Sequence, residues 1–306
     1  MDDLQQRLIW IVGSSRSGST WLTKMLAANE SVIPIDDPHI GHHLSVWRPI
    51  SLAWGTAERL PELQTLGEVK GGHDDYFFSD RYRDAWAPAL RDLILARFGA
   101  QADDIAAERG VPAKQVVVKD PGASGVAELI RELFPQSKLV FLLRDGRDVV
   151  DSWLDAYRDG AWGVKEGTYA LSAEGRLAFL RWQATVWLYR TEVVERAFAA
   201  HDPSRRRLIR YEDLREDPES VLEDLCRDLQ VPTTPERVAE IAAEHSFEEV
   251  PESKRGDGER IRRAAPGSWR QNLSAAERAA VNKIIGPKLR ALGYEREPRA
   301  RYPRAA

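Results

Sequence analysis

One cysteine in 306 residues, Cys226, excludes a disulfide framework and a cysteine-based metal site, and fits a reducing compartment. On the helix expected after Pro218 it reads as a small buried hydrophobe. Long apolar runs are missing as well. Stretches such as residues 8–12 and 139–143 are far shorter than the ~20 residues that a membrane-spanning helix needs. Charge of one sign is not in excess either: 44 Lys and Arg against 48 Asp and Glu give a net −4. No global positive field points to nucleic acid, so an anion site must come from locally convergent arginines. The chain opens Met1-Asp2-Asp3 and runs into an apolar stretch with no basic leader, which gives a cytoplasmic expectation. There is no internal repeat and no low-complexity segment, and no motif specifies an oligomeric state. Against these absences stands a hydrophobic content of 43%, enough for one large α/β domain or two small ones.

Four compact apolar segments, 8–12, 115–118, 139–143 and 207–210, read as buried strands. Helical patterns separate them at 20–28, 124–134 and 147–157, with a long helix at 172–200 and two more at 218–229 and 235–244. Strands alternating with helices predict a central parallel sheet with helices on both faces, and ligands at the carboxyl ends of its strands. Residues 31–80 and 246–273 break the alternation and are rich in turn-forming residues. Both are candidate substrate walls or lids, or else surface decoration. One domain is expected over 1–295, with 296–306 as a basic, proline-bearing tail.

The chemistry begins at residues 13–20, "GSSRSGST". Placed between a strand and a helix, the two glycines of a G-x-x-x-x-G loop form a backbone nest for phosphate, and Ser17, Ser19 and Thr20 add hydroxyls. In triphosphate enzymes the lysine after the second glycine reaches the β- and γ-phosphates. Here Ser19 holds that place, which argues against triphosphate chemistry. Arg16 instead puts a permanent cation at the apex, where charge on a bridging or leaving oxygen could be neutralised.

"SSRSGSTW" resembles the 5′-phosphosulfate loop of sulfotransferases that use 3′-phosphoadenosine 5′-phosphosulfate (PAPS). "FPQSKLVFLLRDGRDVVDSW" resembles that family's 3′-phosphate motif, and "VVVKDPGASG" the K-D-P segment of its tyrosylprotein branch. "RYEDLREDPESVLEDLCRDLQV" and "APGSWRQNLSAAERAAVNKIIGPKLRALGYE" resemble its later segments, the last being a closing loop and final helix. The resemblance leaves out roughly residues 40–110 and 158–200. It implies a P-loop-NTPase-like fold, PAPS as cosubstrate and a small-molecule acceptor. The cofactor set it implies is Arg16, Ser17, Gly18, Ser19 and Thr20 for the 5′-phosphosulfate, Trp21 for adenine, Arg144 and Ser152 for the 3′-phosphate, and Tyr211. Arg262, Arg263 and backbone up to Trp269 would cover that 3′-phosphate. Arg147 and Asp148 are expected to stabilise the turn and first helical turn between them.

Sulfonyl transfer to an alcohol or amine needs in-line positioning, charge neutralisation and removal of a proton. Arg16 and Lys119 suit the charge role, although Lys119 could simply pair with Asp120. One branch of the family keeps a histidine two residues after that lysine; here the position is Pro121. Counting from Arg16 in another branch's pattern leads to Asp37, where that branch has Glu. Asp36, His39, His42 and His43 stay open as alternative bases, since imidazole has an unperturbed pKa of about 6.5 against about 3.9 for Asp. No metal is expected, although Asp37, His39 and His43 could in principle hold zinc. Trp182 and Trp187 read as core, whereas Trp47, Trp54 and Trp162 are candidates for stacking on an acceptor. Other classes open from sequence are a P-loop small-molecule kinase and a non-catalytic adenine-nucleotide-binding protein.

Overall fold

Strands that are apolar on both faces are stable only where both faces are covered, and the most apolar segments of the chain lie in such a place. The structure is a computed structural model that describes residues 2–49, 63–259 and 265–294. Helix α1 (Asp2–Arg7) leads into strand β1 (Leu8–Val12), and α2 (Ser19–Ala27) follows the glycine loop. Next come β2 (Val32–Asp36), α3 (Ile40–Leu44), β3 (Trp47–Pro49), β4 (Leu63–Thr65), α4 (Leu66–Lys70) and α5 (Arg83–Arg109). After β5 (Gln115–Lys119) a 3-10 turn, Pro121–Val126, enters α6 (Ala127–Leu133). Strand β6 (Lys138–Leu143) is followed by α7 (Gly146–Ala156), α8 (Trp162–Lys165) and α9 (Arg176–Ala200). The chain continues through β7 (Arg206–Arg210), α10 (Tyr211–Glu216), α11 (Pro218–Asp228), α12 (Pro235–Glu244), α13 (Trp269–Asn272) and α14 (Ala275–Ala291).

Five strands form one parallel sheet in the order β2-β5-β1-β6-β7, while β3 and β4 make a separate antiparallel pair. Period-two alternation divides the core in two. Leu8, Trp10, Val118, Phe141 and Leu143 point to the face covered by α5, α6, α7, α9 and α14. Ile9, Ile11, Val117, Val140 and Leu142 point to the face covered by α2, α11 and α12. Trp10 anchors the first layer, fully buried, its ring 5.8 Å from Phe98 and 5.4 Å from Phe134. Aromatic pairs in this range add about 0.5–1.5 kcal/mol beyond the apolar area they bury. Cys226 is buried in the second layer, as expected. Among the described residues no helix is long and apolar enough to cross a membrane.

Within residues 31–80, the described parts are more regular than their composition suggests. Val32–Asp36 is a fifth sheet strand, pairing with β5 from Val32↔Gln115 to Asp36↔Lys119. Pro34 disguises it in the sequence, yet proline is tolerated there because β2 is the sheet edge. Helix α5, 27 residues long, follows a 3-10 turn at whose start Ser79 accepts from the Arg81 N–H. The helix expected at 172–200 begins at Arg176, and that at 124–134 starts as the 3-10 turn capped by Asp120.

Candidate active site

The glycine loop leaves the carboxyl end of central strand β1 and is fixed from behind. The Gly13 N–H donates to Ser124 Oγ at 2.8 Å, and that hydroxyl donates back to Gly13 O at 2.6 Å. Gly18 has φ 93°, and a Cβ there would lie 2.6 Å from the Tyr211 ring, so both backbone sign and space demand glycine. Arg16 takes a left-handed φ of 72° without being glycine, a conformation that costs on the order of 1–3 kcal/mol and gathers at functional sites. Ser17 is 1% exposed and its hydroxyl has no partner among the described residues. A buried hydroxyl without an acceptor or donor costs about 1–3 kcal/mol, so the loop holds a polar group in reserve. Ser19 is half-buried and Thr20 exposed at the N-terminus of α2, where backbone N–H groups have no intrahelical acceptor.

The second motif meets the first. Arg16 Nε donates to Ser152 Oγ at 3.0 Å, and its guanidinium lies 5.1 Å from the centre of the Trp162 ring. Arg144 Nη1 donates to Arg16 O at 2.8 Å, and its guanidinium lies 4.3 Å over the Tyr211 ring. Its Nε is buried and unpartnered among the described residues. Burial raises the Tyr211 hydroxyl, so the residue is a neutral platform. Trp21, half-buried, donates its indole N–H to His245 O at 2.8 Å and meets Tyr211 edge-on at 6.2 Å. Arg16, Arg144, Ser152, Trp21 and Tyr211 thus converge on the loop.

Lys119 does not pair with Asp120. Its buried ammonium lies 2.6 Å from Asp36, 2.7 Å from Asp37 and 3.2 Å from Thr20 Oγ1, bridging the end of β2 to the start of α2. Asp120 is taken up by the N–H groups of Gly41, Gly122 and Ala123, which pins α3 to the 3-10 turn. Asp37 and His39, on either side of Pro38, both have left-handed φ, 48° and 58°. That tight turn brings the Asp37 carboxylate onto Lys119. His42 and His43 are exposed on α3, their rings edge-on at 6.0 Å. Asp37, His39 and His43 do not gather around a common point; no His, Cys, Asp and Glu cluster among the described residues could hold a metal ion.

Arg147 behaves as expected, forking onto Asp145 within the turn at 2.7 Å. Asp148 does something else. Its buried carboxylate accepts the N–H of Gly267 at 2.7 Å and of Trp269 at 3.3 Å, tying the later segment to α7. Burial raises its pKa, against the pull of the Arg144 charge and these two N–H groups. The Trp269 ring is buried 4.2 Å over the Arg147 guanidinium and anchors the segment, while its indole N–H has no partner among the described residues. Asn272 adds a bond to Asp151 at 2.9 Å. Trp162, expected on an acceptor, covers Arg16 and donates its backbone N–H to Gly258 O at 2.8 Å. Arg262, Arg263 and Trp54 lie outside the described residues.

Sequence reasoning missed Arg190. From α9 it donates Nη1 to Ser15 Oγ at 2.7 Å and lies 4.8 Å over the Trp47 ring. Burial lowers its pKa to about 10, opposed by the charge of Asp120. Trp47 meets Tyr189 at 5.9 Å and Trp182 at 6.5 Å, so Trp182 belongs to this wall and Trp187 alone of the pair is core. The signal available was an arginine beside aromatics on a helix, which spacing alone could not aim at the loop.

A glycine loop without the triphosphate lysine stands on the central strand of a parallel sheet and is joined there to a strand-end arginine and a helix serine. Residues 9–235 match the model of the sulfotransferase family, and the chain belongs to that family. Protein-tyrosine sulfotransferase 2 of Gallus gallus is 29% identical over 147 residues, 48% of this chain and 33% of the chicken protein, so the match spans about a third of that relative. A sulfotransferase from Mycobacterium avium has a similar fold, with TM-score 0.54, 17% identity and coverage of 96% of this chain and 78% of that one. A mouse sulfotransferase solved with PAP has TM-score 0.51 and 15% identity, covering 94% of this chain and 87% of the mouse one. The fold is therefore the P-loop-NTPase-like sheet of sulfotransferases.

Proposed function

We propose that this protein is an enzyme that transfers a sulfonyl group from PAPS to a hydroxyl or amine of a small-molecule acceptor. The observation that carries this reading is the junction of the two motifs: the Arg16–Ser152 bond at 3.0 Å and the Arg144 bond to the Arg16 carbonyl at 2.8 Å. It joins a nest for one phosphate to an arginine and serine able to receive another. The residues present fit such a ligand, because Ser17 Oγ and Arg144 Nε are buried donors without acceptors among the described residues.

When bound, PAPS supplies the sulfonyl group and leaves as 3′,5′-adenosine bisphosphate (PAP). The loop N–H groups with Ser17, Ser19 and Thr20 hold the 5′ end, and Arg144 and Ser152 the 3′-phosphate. Trp21 and Tyr211 flank the base side, and Arg262 and Arg263 belong to the closing segment. Arg16 and Lys119 oppose the negative charge that grows on the departing phosphate oxygen. Asp37 is the base: its carboxylate removes the acceptor's proton while Lys119 orients it, with His42 and His43 as the alternatives it must beat. The domain occupies residues 1–295 and works in the cytoplasm.

Thermal shift with PAP against ATP plus magnesium tests this first. A ligand of the native state raises the midpoint as its concentration passes its Kd. The reading expects a shift with PAP and transfer of labelled sulfonyl from PAPS in an acceptor screen. A shift confined to ATP and magnesium would mean a kinase, and tight PAP binding without turnover of any acceptor a nucleotide-binding protein.

A further inference from the structure

Most buried or half-buried cations near the loop already have their counter-charge or an assigned ligand. Lys119 has Asp36 and Asp37, Arg147 has Asp145, and Arg144 faces the proposed 3′-phosphate. Arg190 has none of these. No carboxylate among the described residues lies within ion-pair distance of it, and its single hydrogen bond there is to Ser15. Asp120 lies near enough to act on its charge but spends its oxygens on three backbone N–H groups. Nη1 is occupied, and Nε is buried without an acceptor. The Nε–Nη2 edge, the side of a guanidinium that grips a carboxylate with two parallel bonds, is therefore left over. Arg144 shows the same arrangement, Nη1 bound to the chain and Nε unpartnered, at the place proposed for the nucleotide.

Position gives the second argument. Ser15 immediately precedes Arg16, so Arg190 touches the loop beside the residue that would face the transferring group. Its other contact is Trp47, in a wall with Trp182 and Tyr189 that comes from segments outside the nucleotide motifs. Arg190 thus stands at the seam between the glycine loop and the aromatic wall.

We propose that Arg190, with the Ser15 hydroxyl, forms an acceptor-side anion subsite. The molecule that receives the sulfonyl group then has an apolar or aromatic body and a carboxylate or similar oxyanion near its reacting hydroxyl or amine. This rests on the sulfotransferase reading above.

The test uses the full chain saturated with PAP, so that the nucleotide's own anion sites are filled, and titrates benzoate and benzamide by calorimetry. Charge-assisted forked bonds predict benzoate binding at least about tenfold tighter than benzamide. Arg190→Gln brings the two within about twofold, and Arg190→Lys keeps a preference for benzoate with weaker binding, as loss of the fork alone requires. Equal binding of both probes, no saturable benzoate binding, or an undiminished preference in Arg190→Gln overturns the subsite. If Arg190→Gln does not fold, the wild-type comparison and Arg190→Lys decide. PAP is titrated first: a chain that fails to bind PAP loses the sulfotransferase reading itself, whereas PAP binding with indifference to benzoate removes the subsite alone.

Discussion

Replacing Asp37 by Asn separates chemistry from structure in this site, because the carboxylate that would carry the proton contributes little to folding. Its side chain is 45% exposed, and Lys119, 2.7 Å away, keeps Asp36 at 2.6 Å as a second partner. Solvent-screened pairs of this kind are worth about 0–1 kcal/mol, so the melting midpoint should barely move. Catalysis is affected on another scale. A positioned general base contributes about 10²–10⁴-fold, or roughly 3–5 kcal/mol of barrier at 1.36 kcal/mol per tenfold. The expected outcome is kcat lowered by two to four orders of magnitude with PAP affinity unchanged. The assay follows labelled sulfonyl transfer from PAPS, with PAP binding by calorimetry alongside. His42→Ala and His43→Ala should retain near-normal turnover, because both side chains project into solvent from α3. Turnover of Asp37→Asn within tenfold of wild type would refute the assignment, and a collapse in His42→Ala or His43→Ala would move it there.

Three further outcomes follow from the same geometry. Gly18→Ala forces a side chain into φ 93° and against the Tyr211 ring, so it should lose at least about 1–2 kcal/mol by denaturant melts and weaken PAP binding; unchanged stability would contradict the loop as described. Arg144→Ala removes charge-assisted bonds worth about 1.5–3 kcal/mol and should weaken PAP about ten- to hundredfold; an undiminished affinity would take the 3′-phosphate away from it. Asp148 has its pKa raised in the folded state above the ordinary 3.8, so the native protein holds this proton more tightly than the unfolded chain. Stability from it is present at low pH and lost as pH rises from about 3.8 through the raised value. The midpoint of wild type relative to Asp148→Asn should accordingly fall as pH is raised across that window, and a difference independent of pH would count against it.

The parts of the site that were legible in the sequence are those where local chemistry alone decides. Glycines at a strand end, a serine in the lysine's place and Arg144 closing a pure apolar run each carry their meaning within a few residues. What escaped depends on partners far along the chain. β2 was hidden by Pro34, which only the edge position excuses. Pairing of Lys119 with adjacent Asp120 is an alternative that sequence leaves open, but strand register delivers Asp36 across from it while helix capping consumes Asp120. Asp148 seemed a helix-turn residue until a segment some 120 positions later closed on it. Arg190 is one of several arginines on α9, and only the packing of that helix selects it.

The sheet order has a mechanical meaning. The phosphate loop grows from β1, clamped between two strands on each side, while the proposed proton acceptor sits at the tip of the outermost strand. Stiffness is therefore graded across the molecule. On the proposed reading, the nucleotide end is mounted on a strand with neighbours on both sides, and the base on a strand with only one. On that reading, changes in the turn after β2 would alter the proton acceptor and leave the nucleotide's proposed seat on β1 undisturbed.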